Sequence, residues 1–75
     1  MQHQAKLLLD LRGLRCEAGM GVTTAVELSG ICKSIYERIE AGGVPGLGNA
    51  LQLAQFLQMP VEEIWGLAEK EENHG

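Results

Sequence analysis

The sequence has few aromatic residues, no excess of positive charge and no long apolar run. It contains one Tyr, one Phe and one Trp among 75 residues, so a hydrophobic core must consist mainly of Leu, Ile, Val and Ala. That mixture favours helices over sheet. No apolar run approaches the roughly 20 residues that span a bilayer, and three leucines after Lys6 are too few for a secretory signal. We therefore expect a cytoplasmic protein with no membrane partner.

The chain also lacks the residue clusters that form metal sites and catalytic centres. Cys16 and Cys32 do not form a CxxC pair, and His3 and His74 lie near the two ends, so we expect no metal site. There is no glycine-rich phosphate loop after a strand and no nucleophile beside a base, so we expect no enzyme and no cofactor. Cys32 is expected to be either a small residue at a helix start or an oxidant-sensing thiol.

The net charge of −4 argues against a nucleic-acid partner, but the acidic residues are unevenly distributed. Residues 61–75 contain five acidic residues and one basic residue, whereas residues 1–60 contain five of each. We expect a single domain over residues 1–68, followed by a disordered acidic tail over residues 69–75. Because the main part is neutral, its attraction to phosphates should be modest.

Apolar spacing and helix-breaking residues predict five short helices with tight connections, which is an all-α fold. The predicted helices cover residues 4–18, 22–29, 33–41, 47–58 and a segment that begins near residue 60. The first carries leucines on one stripe and is stopped by Gly19. The fourth has a broad apolar face, so we expect it to be a buried central helix.

The second and third predicted helices, with the turn between them, form the stretch around which the chain is organised. Small and branched apolar side chains let the two helices cross closely: Ala25, Val26, Ile31, Ile35 or Tyr36, and Ile39. The other face of the third helix carries Lys33, Ser34, Glu37 and Arg38. A polar face projecting from a compact helix pair has the shape that enters a DNA major groove.

Several short motifs occur in one ungapped order between residues 11 and 67. They are Leu14-Arg15, Gly19-Met20-Gly21-Val22, Ala25-Val26, Gly30-Ile31-Cys32, Tyr36-Glu37-Arg38-Ile39-Glu40-Ala41-Gly42, Pro45, Ala54-Gln55-Phe56-Leu57 and Ile64-Trp65. With this spacing the chain resembles the phage-repressor/Cro-type helix-turn-helix family, also called xenobiotic-response-element-type regulators. The resemblance implies a five-helix, lambda-repressor-like DNA-binding domain. Its third helix would read the major groove, usually as a dimer on a two-fold site.

The resemblance also implies roles for individual side chains. Lys33, Ser34, Glu37 and Arg38 are the expected DNA contacts, at base edges or nearby phosphates. Arg38 would pair with guanine, Lys33 would reach guanine or a phosphate, and Ser34 would be a less selective donor and acceptor. Glu37 would either accept from cytosine or pair with Lys33 on the same helix.

One structural pair and two departures complete the comparison with the family. The resemblance implies an ion pair between Arg15 and Glu40 that ties the first helix to the end of the third. A glutamine that contacts phosphate in the family is Val22 here, and the basic residues after the third helix are replaced by Gly42-Gly43-Val44. We therefore expect weaker, salt-sensitive binding or help from a protein partner, with backbone N–H groups at helix starts supplying part of the phosphate contact.

Ile64, Trp65 and Leu67 are candidates for a dimer interface, because small domains often bury such residues against a second copy. For Trp65 the alternative is a place in the core. The expected function is that of a sequence-specific regulator of transcription that binds double-stranded DNA, a small repressor acting as a homodimer. The alternative is a protein-interaction module, such as an antitoxin or an adaptor, that keeps the fold but binds DNA weakly.

Overall fold

The computed structural model describes residues 4–68, which form five helices and one two-stranded antiparallel sheet. The elements are β1 (Gln4–Leu7), α1 (Leu11–Glu17), α2 (Val22–Ser29), α3 (Lys33–Glu40), α4 (Leu47–Leu57), α5 (Val61–Ile64) and β2 (Trp65–Ala68). The three predicted middle helices agree with α2, α3 and α4 apart from one residue at the ends of the last two. The predicted acidic tail lies outside the described residues.

The all-α prediction is wrong at both ends of this range, where β1 and β2 pair. The leucine spacing predicts a first helix that begins at residue 4, but α1 begins at Leu11. In the sheet, Gln4 lies opposite Ala68 and Leu7 lies opposite Trp65. Each strand thus gains a partner from the opposite end of the sequence, and this pairing overrides the local helical spacing of the leucines.

Asp10 sets the start of α1. Its Oδ1 atom accepts a hydrogen bond of 3.1 Å from the backbone N–H of Gly13, which satisfies one of the free donors of the first helical turn. A side chain at position 13 would collide with the Asp10 carboxylate. At the other end, Gly19 adopts a left-handed conformation with φ of 73°, as expected for a residue that ends a helix.

The core draws on all five helices and on β2. Its buried residues are Leu11, Ala25, Ile31, Tyr36, Ile39, Ala50, Leu53, Ala54, Ile64 and Trp65. The prediction that the fourth helix is a buried central helix holds for one face only. Leu47 is 73% exposed and Leu51 is 53% exposed, because these two residues lie one turn apart on the face of α4 turned away from the core.

Candidate nucleic-acid interface

The turn between α2 and α3 is held by backbone and side-chain hydrogen bonds. Gly30 adopts a left-handed conformation, with φ of 76°, and its N–H donates to the carbonyl of Val26 over 3.0 Å. The Ser29 hydroxyl accepts from the N–H of Ile31 over 3.2 Å. From α4, Gln52 donates to the Gly30 carbonyl over 3.4 Å. The angle between α2 and α3 is therefore fixed from both sides of the turn.

The two faces of α3 differ sharply in exposure. Tyr36 is 2% exposed and Ile39 is 1% exposed, so this face anchors α3 in the core. All four predicted contact residues are exposed: Lys33, Ser34, Glu37 and Arg38. The structure therefore brings these four side chains together on one open helical face, as their spacing predicts.

Lys33 and Glu37 form an ion pair one turn apart on this face. The Nζ–Oε2 distance is 3.9 Å, and the two side chains are 67% and 53% exposed. A pair this exposed contributes little to stability and is easily exchanged for another partner. Both side chains therefore remain free to reorganise against a ligand.

The backbone after α3 passes close to the stem of Arg38. The Gly43 N–H donates to the Arg38 carbonyl over 2.8 Å, and a side chain at position 43 would place its Cβ 2.9 Å from Arg38 Cγ. Gly42 has φ of 105°, a conformation that side chains disfavour. Gly42 and Gly43 thus let the chain turn directly beside Arg38.

Arg15 and Glu40 form the ion pair that the family resemblance implied. Arg15 Nε lies 2.7 Å from Glu40 Oε2 and its Nη2 lies 3.1 Å from Oε1, while Nη1 donates to the Met20 carbonyl over 3.1 Å. The side chains are only 12% and 10% exposed. This two-pronged pair joins α1, the loop before α2 and the end of α3 into one unit.

The same pair lowers the pKa of the Glu40 carboxyl, chiefly through the hydrogen bonds from Arg15, against an opposing effect of burial. The Tyr36 hydroxyl contributes to the same network. Burial, followed by the proximity of Glu40, raises the pKa of Tyr36 to about 12. Tyr36 therefore stays protonated at neutral pH and supports the carboxylate form of its neighbour.

The lowered pKa of Glu40 predicts an acid-sensitive fold. The ion pair stabilises the folded state fully above the unfolded pKa of about 4.3, and this contribution is lost as the pH falls through the lower folded pKa. Thermal unfolding followed by circular dichroism from neutral to strongly acidic pH measures this loss. Glu40→Gln should be less stable at neutral pH and should lose less stability below about pH 4. Identical pH profiles for the two proteins would contradict the assignment.

Arg12 is a second basic residue near this surface, and no motif or spacing in the sequence predicts its place there. An open cleft of about 260 Å³ is lined by Arg12, Arg15, Val22, Glu37, Glu40 and Ala41. The Arg12 side chain is exposed, and it stands beside the start of α2, where no side chain caps the helix. A positive charge and free backbone N–H groups thus adjoin the exposed face of α3.

The three candidates for a dimer interface are placed differently. Ile64 is 0% exposed and Trp65 is 6% exposed, so both side chains are buried in the core of a single chain. Of the two places expected for Trp65, the core is therefore the one observed. The Trp65 indole N–H is buried without a hydrogen-bond partner within residues 4–68. Leu67 is 63% exposed, and it alone among the three offers its side chain to a partner.

Cys32 lies at the start of α3 with its side chain exposed, and Cys16 is likewise exposed. The backbone N–H of Ile35, followed by the Ser34 hydroxyl, lowers the pKa of the Cys32 thiol.

No group of three metal-binding side chains occurs within residues 4–68. In the same part of the chain, no helix has the length and apolar character needed to cross a bilayer.

Comparison of the chain with protein-family models, with curated proteins and with solved structures finds no match. A functional assignment therefore depends on the exposed side chains of α3 and on the charges around them. The most informative arrangement in the described residues is the polar face of α3, flanked by Arg12 and the start of α2.

Proposed function

We propose that this protein is a sequence-specific transcriptional regulator that binds double-stranded DNA, a small repressor acting as a homodimer. In this proposal α2 and α3 form a helix-turn-helix of the phage-repressor/Cro type, within a lambda-repressor-like domain. The observation that carries it is the exposed polar face of α3, which is anchored by Tyr36 and Ile39 on its opposite side. No cofactor or metal is part of the proposed activity.

The dimensions of α3 and its side chains suit the major groove. The groove is about 12 Å wide and admits one helix. In the proposed complex, Arg38 donates two hydrogen bonds to a guanine, and Lys33 binds a guanine or a phosphate. The Ser34 hydroxyl binds a neighbouring base or phosphate. Glu37 either accepts from cytosine or keeps Lys33 in place through their ion pair.

Phosphate contacts in this proposal come from outside α3 as well. Arg12 lies beside the start of α2, where the helix leaves its first backbone N–H groups without intrahelical partners. A helix start of this kind attracts phosphate groups. Arg12 and the α2 backbone therefore replace part of the contact that the family makes through the glutamine whose place Val22 takes.

A salt titration of binding to a nonspecific duplex tests the proposal. If Lys33, Arg38 and Arg12 of each subunit each neutralise a phosphate, the bound dimer neutralises about six, and a plot of log K against log salt should have a slope of about −5. Arg12→Ala removes one such contact from each subunit and should change that slope by about two units toward zero. Fluorescence anisotropy of a labelled duplex gives both slopes. A slope near zero for the unmodified protein would count against DNA binding.

The second candidate function is a protein-interaction module, such as an antitoxin or an adaptor. Exposed leucines favour it: Leu47 is 73% exposed, Leu28 is 64% exposed and Leu51 is 53% exposed. The net charge of −4 also fits a protein partner better than a polyanion. The same titration separates the two candidates, because a protein-interaction module should show weak DNA binding with little salt dependence.

A further inference from the structure

The small sheet has an outer edge on each of its two strands. Within residues 4–68, β1 and β2 pair only with each other. Each therefore has backbone N–H and C=O groups that point away from its partner. Unpaired groups of this kind favour the addition of another strand.

The register of the sheet identifies the groups on the open edge of β2. The Leu8 N–H donates to the Ile64 carbonyl over 2.8 Å, immediately beyond the Leu7–Trp65 pair. Hydrogen-bonded and non-hydrogen-bonded pairs alternate along an antiparallel ladder. The pairing of Leu67 with Ala5 is therefore of the non-hydrogen-bonded kind, and the Leu67 N–H and C=O both point away from β1.

The four-residue β2 strand contains none of the residue types that protect strand edges. Its sequence, WGLA, contains neither a charged residue nor proline, the two residue types that most often block edge pairing. Gly66 is packed against Leu8, because a Cβ at Gly66 would lie 3.2 Å from the nearest Leu8 methyl group. Leu67 is 63% exposed. By contrast, β1 carries Lys6, which disfavours pairing at its edge.

We propose that β2 pairs antiparallel with β2 of a second copy, across a two-fold axis at Leu67, to form a four-stranded sheet. The Leu67 N–H of each copy donates to the Leu67 carbonyl of the other. The two exposed leucine side chains then lie side by side, because Cα atoms of directly opposed, hydrogen-bonded residues are about 5.5 Å apart.

A second copy is the occupant that this edge fits best. Antiparallel pairing of a strand with itself satisfies the donor and the acceptor of Leu67 with the identical groups of the other chain. A two-fold contact is also closed, so it yields a dimer without further growth along that edge. The proposal specifies the interface of the homodimer in the proposed function. It rests on that proposed function only for the role of the dimer in binding DNA.

Sedimentation of the full chain without DNA, together with amide hydrogen exchange by NMR, tests this interface. We expect a dimer at high micromolar concentration. The Leu67 N–H should exchange rapidly in dilute samples and become protected as the concentration rises. The Gly66–Lys6 pair is of the hydrogen-bonded kind. The Gly66 N–H therefore donates to β1 and should be protected at all concentrations. The N–H groups of Ala5 and Leu7, on the other edge, should not gain protection.

Leu67→Pro removes the outward N–H without removing a bond to β1. The variant should keep the helical circular-dichroism spectrum, and its dimer dissociation constant should rise about 100-fold, from the loss of two hydrogen bonds and an apolar contact. Leu47→Pro is the matched control. It makes the same change at a more exposed leucine, at the first position of α4, where proline is tolerated, and it should dimerise normally.

Several results would overturn the proposal. They are a monomer at high micromolar concentration, protection of Ala5 and Leu7 in place of Leu67, or an equal loss of dimer in Leu67→Pro and Leu47→Pro. The exchange measurement on the unmodified protein decides the matter even if Leu67→Pro does not fold. Failure of DNA binding alone leaves the strand pairing intact, since neither measurement contains DNA.

Discussion

Replacing Lys33 and Arg38 together by alanine is expected to weaken operator binding by at least about 100-fold, because each good base contact contributes about 1–3 kcal/mol of discrimination. Both side chains are exposed on α3 and neither anchors the core. The melting temperature should therefore change by only a few degrees, in line with the roughly 0.5 kcal/mol typical of surface substitutions. The measurement is an anisotropy titration on duplexes selected from a random pool.

The two single variants should affect DNA binding in different ways. Arg38→Ala should relax the preference at one base pair, because it removes a bidentate guanine contact. Lys33→Ala, if its partner is a phosphate, should weaken binding to all sequences alike. The double variant Lys6→Ala with Lys70→Ala also removes two positive charges. Lys6 lies in β1, and Lys70 lies outside the described residues. This control should retain most of the binding. Operator affinity that survives the loss of Lys33 and Arg38 would show that α3 is not the reading helix.

Glu40→Ala is expected to lower the melting temperature by at least about 10 °C, the largest effect that we expect on stability. The Arg15–Glu40 pair is nearly buried, with side chains 12% and 10% exposed. Removing the carboxylate leaves the Arg15 guanidinium with one acceptor, the Met20 carbonyl. Thermal unfolding at neutral pH measures the change.

A second ion pair on α3 provides the matched control for Glu40→Ala. Glu37→Ala breaks the Lys33–Glu37 pair, whose side chains are 67% and 53% exposed, and should leave the melting temperature nearly unchanged. Replacing both members of the partly buried pair, as in Arg15→Met with Glu40→Leu, should recover much of the stability that either single change removes. Equal effects of Glu40→Ala and Glu37→Ala would contradict the structural role of Arg15 and Glu40.

The middle of the chain could be predicted from the sequence because its signals are local. Glycines and proline mark the limits of α2, α3 and α4, and apolar spacing identifies the buried face of each helix. Gly30, for example, adopts the left-handed conformation that a tight turn requires. The exposed positions of Lys33 and Arg38 follow from the same spacing, since the buried Tyr36 and Ile39 fix which face of α3 points inward.

The ends of the described range could not be predicted in this way, because β1 and β2 depend on each other. Neither four-residue strand has a sequence pattern that favours a strand over a helix. Asp10 was the available sign that α1 starts late, since aspartate favours the position before a helix. The burial of Trp65 and the neighbourhood of Arg12 likewise depend on packing between distant segments, which residue spacing does not encode.

The pairing of β1 with β2 also places residues 4 and 68 next to each other, since Gln4 lies opposite Ala68 in the sheet. Opposed Cα atoms in such a ladder are only about 4.5–5.5 Å apart. A short flexible linker could therefore join them, and the chain could be reopened in the glycine-rich loop between α3 and α4. Such a circular permutant would keep every helix while moving its ends to the side of the molecule that carries Arg38 and Gly43.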